Sequence, residues 1–432
     1  MNFVTDIPKE KYDEFVKKNE IKSHFLQSYA WGVFSKKSRG LIPYYVGMVN
    51  DKDELVASAL LLKKTLPLGF SYFYSPRGYV IDFFNHQLVS DFTKEIVKFI
   101  KKQKGIFLKI DPDLIWREEN SKGEELSTKY DSKYVFDNLK KIGFKHLGFT
   151  KNFETMQPRY SFRIDMNNSL ETIENNFSKT TKQRIKKANS LNTKVRIGTA
   201  RDIEVFNDLM TITENRKDFI SHDLDYYKNL YEIYNEDNKF NLFIGSIDLD
   251  EIIQKYEQEL ENCEKELEGL PKENLSKSQN NKKKELVREI EGHQKALEQY
   301  KKDKAEYGSK VILNAHGIIE YGNKAWVLYA GNHNILTSTY SNYKTYHEHI
   351  KYCHENGIKM YDQFGTIGDL SKDNPRLGLH EFKKKFGGNY VEFIGEFDYI
   401  TNHLMYFCFT KLVPLYRNLV KKKAKMNRKR GM

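Results

Sequence analysis

The chain has 432 residues, 39% hydrophobic and 14% aromatic, which is too long for one ordinary core and too apolar for wholesale disorder, so two packed domains are expected. The formal charge is +12, but residues 411–432 alone hold nine Lys/Arg and no acid, which leaves the body close to balance and makes the tail a separate electrostatic feature.

Tyr12 to Lys17 reads as a short amphipathic helix. Leu41–Val49 and Leu55–Leu62 read as strands around a polar turn, and Phe70–Tyr74 as an aromatic strand followed by Pro76-Arg77-Gly78. A helix is expected at Gln87–Lys104, ended by Gly105, then a strand at Ile106–Ile110 running into Asp111-Pro112. Near residue 154 the pattern restarts. A strand at Tyr160–Ile164 leads to a helix near Leu170–Phe177, a basic helix at Thr180–Asn189 and a strand at Lys194–Ile197. A helix over 202–215 and strands at Phe240–Ile247, Lys310–Ala315 and Lys324–Tyr329 follow. Alternation of this kind indicates α/β (α+β) architecture, and the second half resembles a second copy of the first.

Between these last strands lies a different pattern. Leu249, Ile253, Tyr256, Leu260, Cys263 and Leu267 follow a 4-3-4-3-4 spacing, a coiled-coil seam. Gly269-Leu270-Pro271 breaks it, and Leu286, Ile290, His293, Leu297 and Tyr300 repeat it. Two helices so joined run antiparallel, each about 30–40 Å long. His293 reads as a tolerated polar seam position rather than a ligand. The Lys282-Lys283-Lys284 run near the tip is either a solvated face or a nucleic-acid contact.

Cys263, Cys353 and Cys408 are scattered without metal-ligand spacing, which fits a reducing cytoplasm and no metal. The opening residues contain early acids and no apolar core segment, so no signal peptide is expected. No stretch approaches the ~18 apolar residues of a membrane span. A cytoplasmic protein, peripheral at most at the inner face of the membrane, is the expectation. The tail, apolar and basic together from Leu412 to Arg430, suits a helix on anionic lipid, a tRNA contact or a solubilising terminus.

No G-x-S-x-G, Walker A, H-E-x-x-H or Cys–His dyad is present. An enzyme built this way works by orienting two substrates and stabilising charge. Three stretches stand out. Gln27-Ser28-Tyr29-Ala30-Trp31-Gly32 with Lys36 suits a phosphate or sugar-phosphate pocket, although taken alone the stretch favours a packing Trp31 with a surface lysine. Arg77 in Ser75-Pro76-Arg77-Gly78-Tyr79 and Asp111 after the later strand stand at strand ends, where ligands bind in α/β sheets. The densest is Met360-Tyr361-Asp362-Gln363-Phe364-Gly365-Thr366, with Gly378-Leu379-His380-Glu381-Phe382-Lys383-Lys384-Lys385-Phe386-Gly387-Gly388 behind it. Glycines 365, 368, 378, 387 and 388 indicate close backbone approach or positive φ, and one lysine of the cluster is expected at a cleft floor.

Taken in order, S-Y-x-W-G, P-R-G, D-P after a strand, Q-P, a basic helix, Y-D-x-x-G and F-K-x-x-F-G resemble the Fem/MurM (FemABX) family of aminoacyl-tRNA-dependent peptidyltransferases. The arm matches the branch carrying a helical insertion. Two departures are Tyr361-Asp362-Gln363-Phe364-Gly365-Thr366, shifted against the usual Tyr-Asp-Phe-Gly-Gly, and Tyr329-Ala330-Gly331-Asn332. The resemblance implies two tandem N-acetyltransferase-like domains: 1–153, then 154–246 with 308–398. It places the arm at 247–307 and a C-terminal helix and basic tail at 399–432. It further implies transfer of Gly, Ala or Ser from aminoacyl-tRNA to a stem-peptide amine of lipid II or UDP-MurNAc-pentapeptide, with no cofactor beyond the co-substrate. Lys383 would stabilise the oxyanion or leaving group, Asp111 would orient the amine, and Lys36 and Arg216 would hold phosphates. Trp31, Arg77, Tyr329, Tyr361 and Phe382 complete the expected substrate contacts. An acyltransferase with another amine acceptor, or a non-enzymatic tRNA-binding scaffold, remains the alternative.

Overall fold

The structure is a computed structural model that describes residues 1–19, 22–127, 131–217, 221–235 and 239–412. The basic tail from 413 on and Phe219 of the Arg216 motif lie outside the described residues.

The first half contributes β1 (Asn2–Val4), α1 (Lys9–Lys18), α2 (Tyr29–Arg39), β2 (Ile42–Val49), β3 (Leu55–Thr65), β4 (Ser71–Ser75), α3 (His86–Lys102) and β5 (Gly105–Ile110). β6 (Ile115–Glu119), α4 (Ser132–Lys141) and β7 (Phe144–His146) follow. In the second half come β8 (Tyr160–Asp165), α5 (Leu170–Asn175), α6 (Lys179–Ser190), β9 (Lys194–Ile197), α7 (Ile203–Lys217), α8 (Leu224–Asn235) and β10 (Phe240–Asp248). After the arm helices α9 (Leu249–Glu268) and α10 (Lys277–Tyr307) the chain continues through β11 (Lys310–Tyr321), β12 (Lys324–Asn332), α11 (Ser341–Glu355) and β13 (Met360–Asp362). It closes with α12 (Leu377–Lys384), β14 (Asn389–Phe393), β15 (Phe397–Ile400) and α13 (His403–Phe407).

Two mixed sheets result, ordered β1-β2-β3-β4-β5-β15-β7 and β6-β14-β8-β13-β12-β11-β10-β9. Each contains a parallel pair joined through a helix: β4–β5 around α3 and β12–β13 around α11. The α/β expectation with two sheet domains holds. Local chemistry explains the helices between. Ser28 accepts from Trp31 N to start α2, and Gly40 at φ 61 ends it. α3 buries Leu88, Phe92, Ile96 and Ile100 along one stripe. It ends at Lys102 with Gln103 as cap, whereas Gly105 opens β5. The expected terminator is thus a strand residue, placed where an added Cβ would sit 2.9 Å from the Ile100 carbonyl.

The sheets also exchange strands. β6 leaves the first half to pair with β14, and β15 leaves the second to pair with β5 and β7. Residues 111–114 and 394–396 are therefore the crossings between the sheets, tied to each other by Ile394 N donating to Leu114 O at 2.9 Å.

In the arm, Lys304–Asp250, Lys301–Glu257, His293–Glu259 and Lys282–Glu266 pair across α9 and α10. Partner numbers fall on one helix as they rise on the other, so the pair is antiparallel. Leu249, Ile252, Tyr256, Leu297 and Tyr300 bury its root against Leu191, Val311 and Leu313.

Candidate functional site

The Lys383 turn and the inter-sheet crossings form one buried polar system. Phe364 adopts φ 53, a region that costs a non-glycine residue energy. The peptides on either side of it turn so that three consecutive carbonyls converge. The Lys383 ammonium donates to all of them: Gln363 O at 2.8 Å, Gly365 O at 2.7 Å, and Phe364 O. Gln363 Nε2 returns a bond to Lys383 O at 3.1 Å, locking α12 to the turn. Lys383 is 6% exposed, while Lys384 on the same helix is exposed. Burial pulls the Lys383 ammonium down to about 7, with the Asp362 carboxylate opposing. Gly368 lies so close to the Tyr160 ring that a Cβ would come within 2.2 Å of it. Gly378, by contrast, has open space and a negative φ, so neither expected reason for a glycine applies there.

From this turn a chain of ion pairs crosses to the first sheet. Arg163 on β8 donates through Nε to Asp362 at 2.8 Å and through Nη2 to Asp113 at 2.8 Å. Two residues back, Asp111 accepts from Arg77 N at 2.7 Å and from the Tyr74 hydroxyl at 3.1 Å. Burial, with Glu396 adding to it against the opposing pull of Arg77, pushes the Asp111 carboxyl up to about 7. Arg77 and Arg163 both lie over the Phe393 ring, at 4.2 and 4.7 Å. Asp111 and Asp113 stand in one crossing and Glu396 in the other, so the strand exchange is what brings Asp113 to the Arg163–Asp362 pair of the second half.

The other expected residues are distributed differently. Trp31 is buried against Phe25 and Phe34, and Arg77 Nη2 is engaged by Pro158 O at 2.6 Å. Tyr361 is fully buried, its hydroxyl 3.0 Å from His349 Nδ1. Phe382, half-buried, packs edge-to-face against Tyr343, Tyr346 and Phe386. Trp31 and Phe382 are held by packing, and Arg77 and Tyr361 by hydrogen bonds as well. Lys36 is exposed in the last turn of α2, and Arg216 is exposed at the end of α7, bonded to Asn334 at 3.0 Å. Tyr329 is half-buried, its hydroxyl 2.9 Å from that of Tyr226, which stacks on His222 at 3.6 Å. Lys36, Arg216 and Tyr329 thus belong to the α2–α7–α8–β12 side, separate from the ion-pair chain. No three metal-ligating side chains converge among the described residues.

Residues 7–413 match the FemAB family. The chain belongs to that family. It is 30% identical over 395 residues to an aminoacyltransferase FemA of Staphylococcus epidermidis, covering 90% of this chain and 92% of the relative. It is 28% identical over 430 residues, 98% of each chain, to a lipid II:glycine glycyltransferase of Staphylococcus aureus. Among solved structures, that of FemX superimposes with a TM-score of 0.77 at 27% identity, covering 94% of this chain and 99% of the other.

As a FemAB protein the chain is an enzyme, an aminoacyltransferase. Sequence reasoning missed Arg163, Asp113, Tyr74, Tyr226 and Gln363 as parts of its site. Arg163 carried a readable signal, since it is a charged residue between Phe162 and Ile164 inside a strand, whereas Asp113 sits in a loop three residues past β5. Tyr226 lies in α8, where Leu224-Asp225-Tyr226-Tyr227 gives no periodic hint of a facing hydroxyl on β12.

Proposed function

We propose that the chain transfers Gly, Ala or Ser from aminoacyl-tRNA to an amine of the peptidoglycan precursor's stem peptide, building the interpeptide cross-bridge. Lipid II is favoured over UDP-MurNAc-pentapeptide as acceptor, because the S. aureus relative that aligns over 98% of both chains is a lipid II:glycine glycyltransferase. The observation that carries the reading is the buried Lys383 at the turn after β13, whose neighbour Asp362 is joined through Arg163 to Asp113 in the sheet crossing.

The acceptor amine attacks the ester carbonyl, the new C–N bond forms, and the C–O bond to the tRNA ribose breaks. Asp111, as a carboxylate, orients the amine and takes its proton. The tRNA hydroxyl leaves with a proton, and the ester makes the exchange downhill without ATP. Lys383 holds the oxyanion or leaving group, for which the ammonium exchanges one of its three carbonyl partners for the reacting oxygen. Lys36 and Arg216, exposed on the other side, suit the precursor's phosphates.

Purified protein with labelled Gly-, Ala- and Ser-tRNA and either precursor tests this. Label should enter one precursor from one tRNA; no transfer with any combination would sink the proposal. The pH dependence is a second test. Asp111 works ionised, above its pKa of about 7, and Lys383 works charged, below its own of about 7. The rate should therefore trace a narrow bell centred near pH 7, and Asp111→Asn should remove the acid limb's titration.

Membrane contact fits α13 and the turn that follows. Leu404, Phe407 and Leu412 are 72%, 56% and 51% exposed, with Lys411 beside them. No described helix is long and apolar enough to cross a bilayer. An apolar face of this kind inserts shallowly, and the basic sequence beyond it would add attraction to anionic lipid. Leu404→Ser with Phe407→Ser should weaken binding to anionic vesicles roughly tenfold. Unchanged co-sedimentation would exclude the patch.

A further inference from the structure

Among the described residues, the cations on the outer face of α6 show no acidic partner. Its twelve residues, KTTKQRIKKANS, include five cations and no acid. Thr181, Ile185 and Ala188 form the buried side, whereas Lys179, Lys182, Lys186 and Lys187 are exposed. The hydrogen bonds recorded for Lys182 and Lys187 go to neutral groups: Asn175 O at 3.1 Å and the Tyr256 hydroxyl at 2.9 Å. The cations that follow in the chain differ, since Lys194 pairs with Glu251 and Arg196 with Asp202.

Position gives the stripe its meaning. At the start of α6, Ser178 N and Thr181 Oγ1 both donate to Lys385 O, at 2.9 and 3.2 Å, two residues from Lys383. At its end, Lys187 reaches Tyr256 at the arm root, Lys255 donates to Ser190 O, and Asn192 reaches Glu251. The helix, about 18 Å long at 1.5 Å per residue, spans the distance from the Lys383 turn to the arm. Between the exposed lysines stand Thr180 and Gln183, and beyond them Asn189 and Ser190, all exposed and able to hydrogen-bond.

We propose that this face seats the RNA backbone of the acyl donor, running from its acylated 3′ end at Lys383 toward the root of the arm. The inference rests on the aminoacyl-tRNA reading above and adds where the RNA lies. A lysine row at i, i+3 and i+7 neutralises successive phosphates while making no base-specific contact, which suits a donor recognised by its backbone. A bilayer is the less suitable occupant, because the exposed side of α6 offers no apolar residue to insert, unlike α13.

The test uses the full chain and fluorescence anisotropy with deacylated tRNA, titrated over a range of salt concentrations. The triple variant Lys179→Gln, Lys182→Gln, Lys186→Gln changes exposed positions only, and its folding is checked by thermal melting. Binding should weaken about tenfold or more at low salt, and the slope of log K against log salt should become shallower by about 2. Binding to anionic vesicles should stay as in the wild type. Wild-type affinity and slope in the triple variant would overturn the proposal while leaving the donor reading intact. Loss of vesicle binding with tRNA binding kept would also overturn it, assigning the stripe to lipid. A wild-type chain that binds no tRNA would remove the donor reading itself, and the proposal with it.

Discussion

Replacing Lys383 by alanine is expected to slow aminoacyl transfer by roughly 10²–10³-fold, the usual effect of removing one preorganised charge donor from an acyl-transfer site. The same substitution leaves three converging carbonyls without their donor. Unpaired buried acceptors cost about 1–3 kcal/mol each unless water replaces the lost donor, so the melting temperature should fall as well. The two effects separate in the kinetics. Loss of transition-state stabilisation lowers kcat, whereas a loosened turn that merely misplaces substrate raises KM. Steady-state assays well below the melting point of the variant read the split. A wild-type kcat in Lys383→Ala would leave the lysine as a purely structural clamp for the Gln363–Gly365 turn.

Arg163→Met is expected to be the most destabilising single change, by about 3–5 kcal/mol, because it leaves Asp113 and Asp362 buried without their shared partner. The loss should shrink in acid. Burial alone would raise the Asp113 carboxyl, but Arg163, with His24 and Lys324, holds it well below the usual carboxylate range. A group depressed in the folded state contributes stability above its unfolded pKa of about 4, and that contribution is lost as pH falls toward the folded value. The gap between wild type and variant should therefore narrow progressively as pH falls below about 4. Denaturant unfolding at pH 7 and pH 3.5 measures both numbers, and Asp113→Asn combined with Arg163→Met should recover part of the loss at neutral pH. An equal gap at both pH values would show that the pair does not account for the destabilisation.

The local elements of this protein were legible in its residues. The strand Lys194–Ile197, the basic α6 and the arm all appear where periodicity and breakers put them, because each depends on neighbours within a turn or two. α2, α4, α8 and α11 were not expected from the residues. α8, for instance, is rich in tyrosine, whose ring and hydroxyl serve a core and a surface equally well. The residues pointed to one lysine of the Lys383–Lys385 cluster at a cleft floor, and only the family resemblance singled out Lys383. What the sequence could not reveal was the exchange of β6 and β15 between the sheets. A strand's pairing partner depends on contacts hundreds of residues away, and the pleat alone cannot identify it. That exchange determines the site. It places Asp111, Asp113 and Glu396 in the crossings and brings Asp113 to Arg163, which is already paired with Asp362 across β8 and β13. Sequence by itself determined which elements form and which family chemistry they carry. Only the tertiary structure decided which charges meet, because a buried ion pair is specified by the pairing of distant strands and not by the residues next to it.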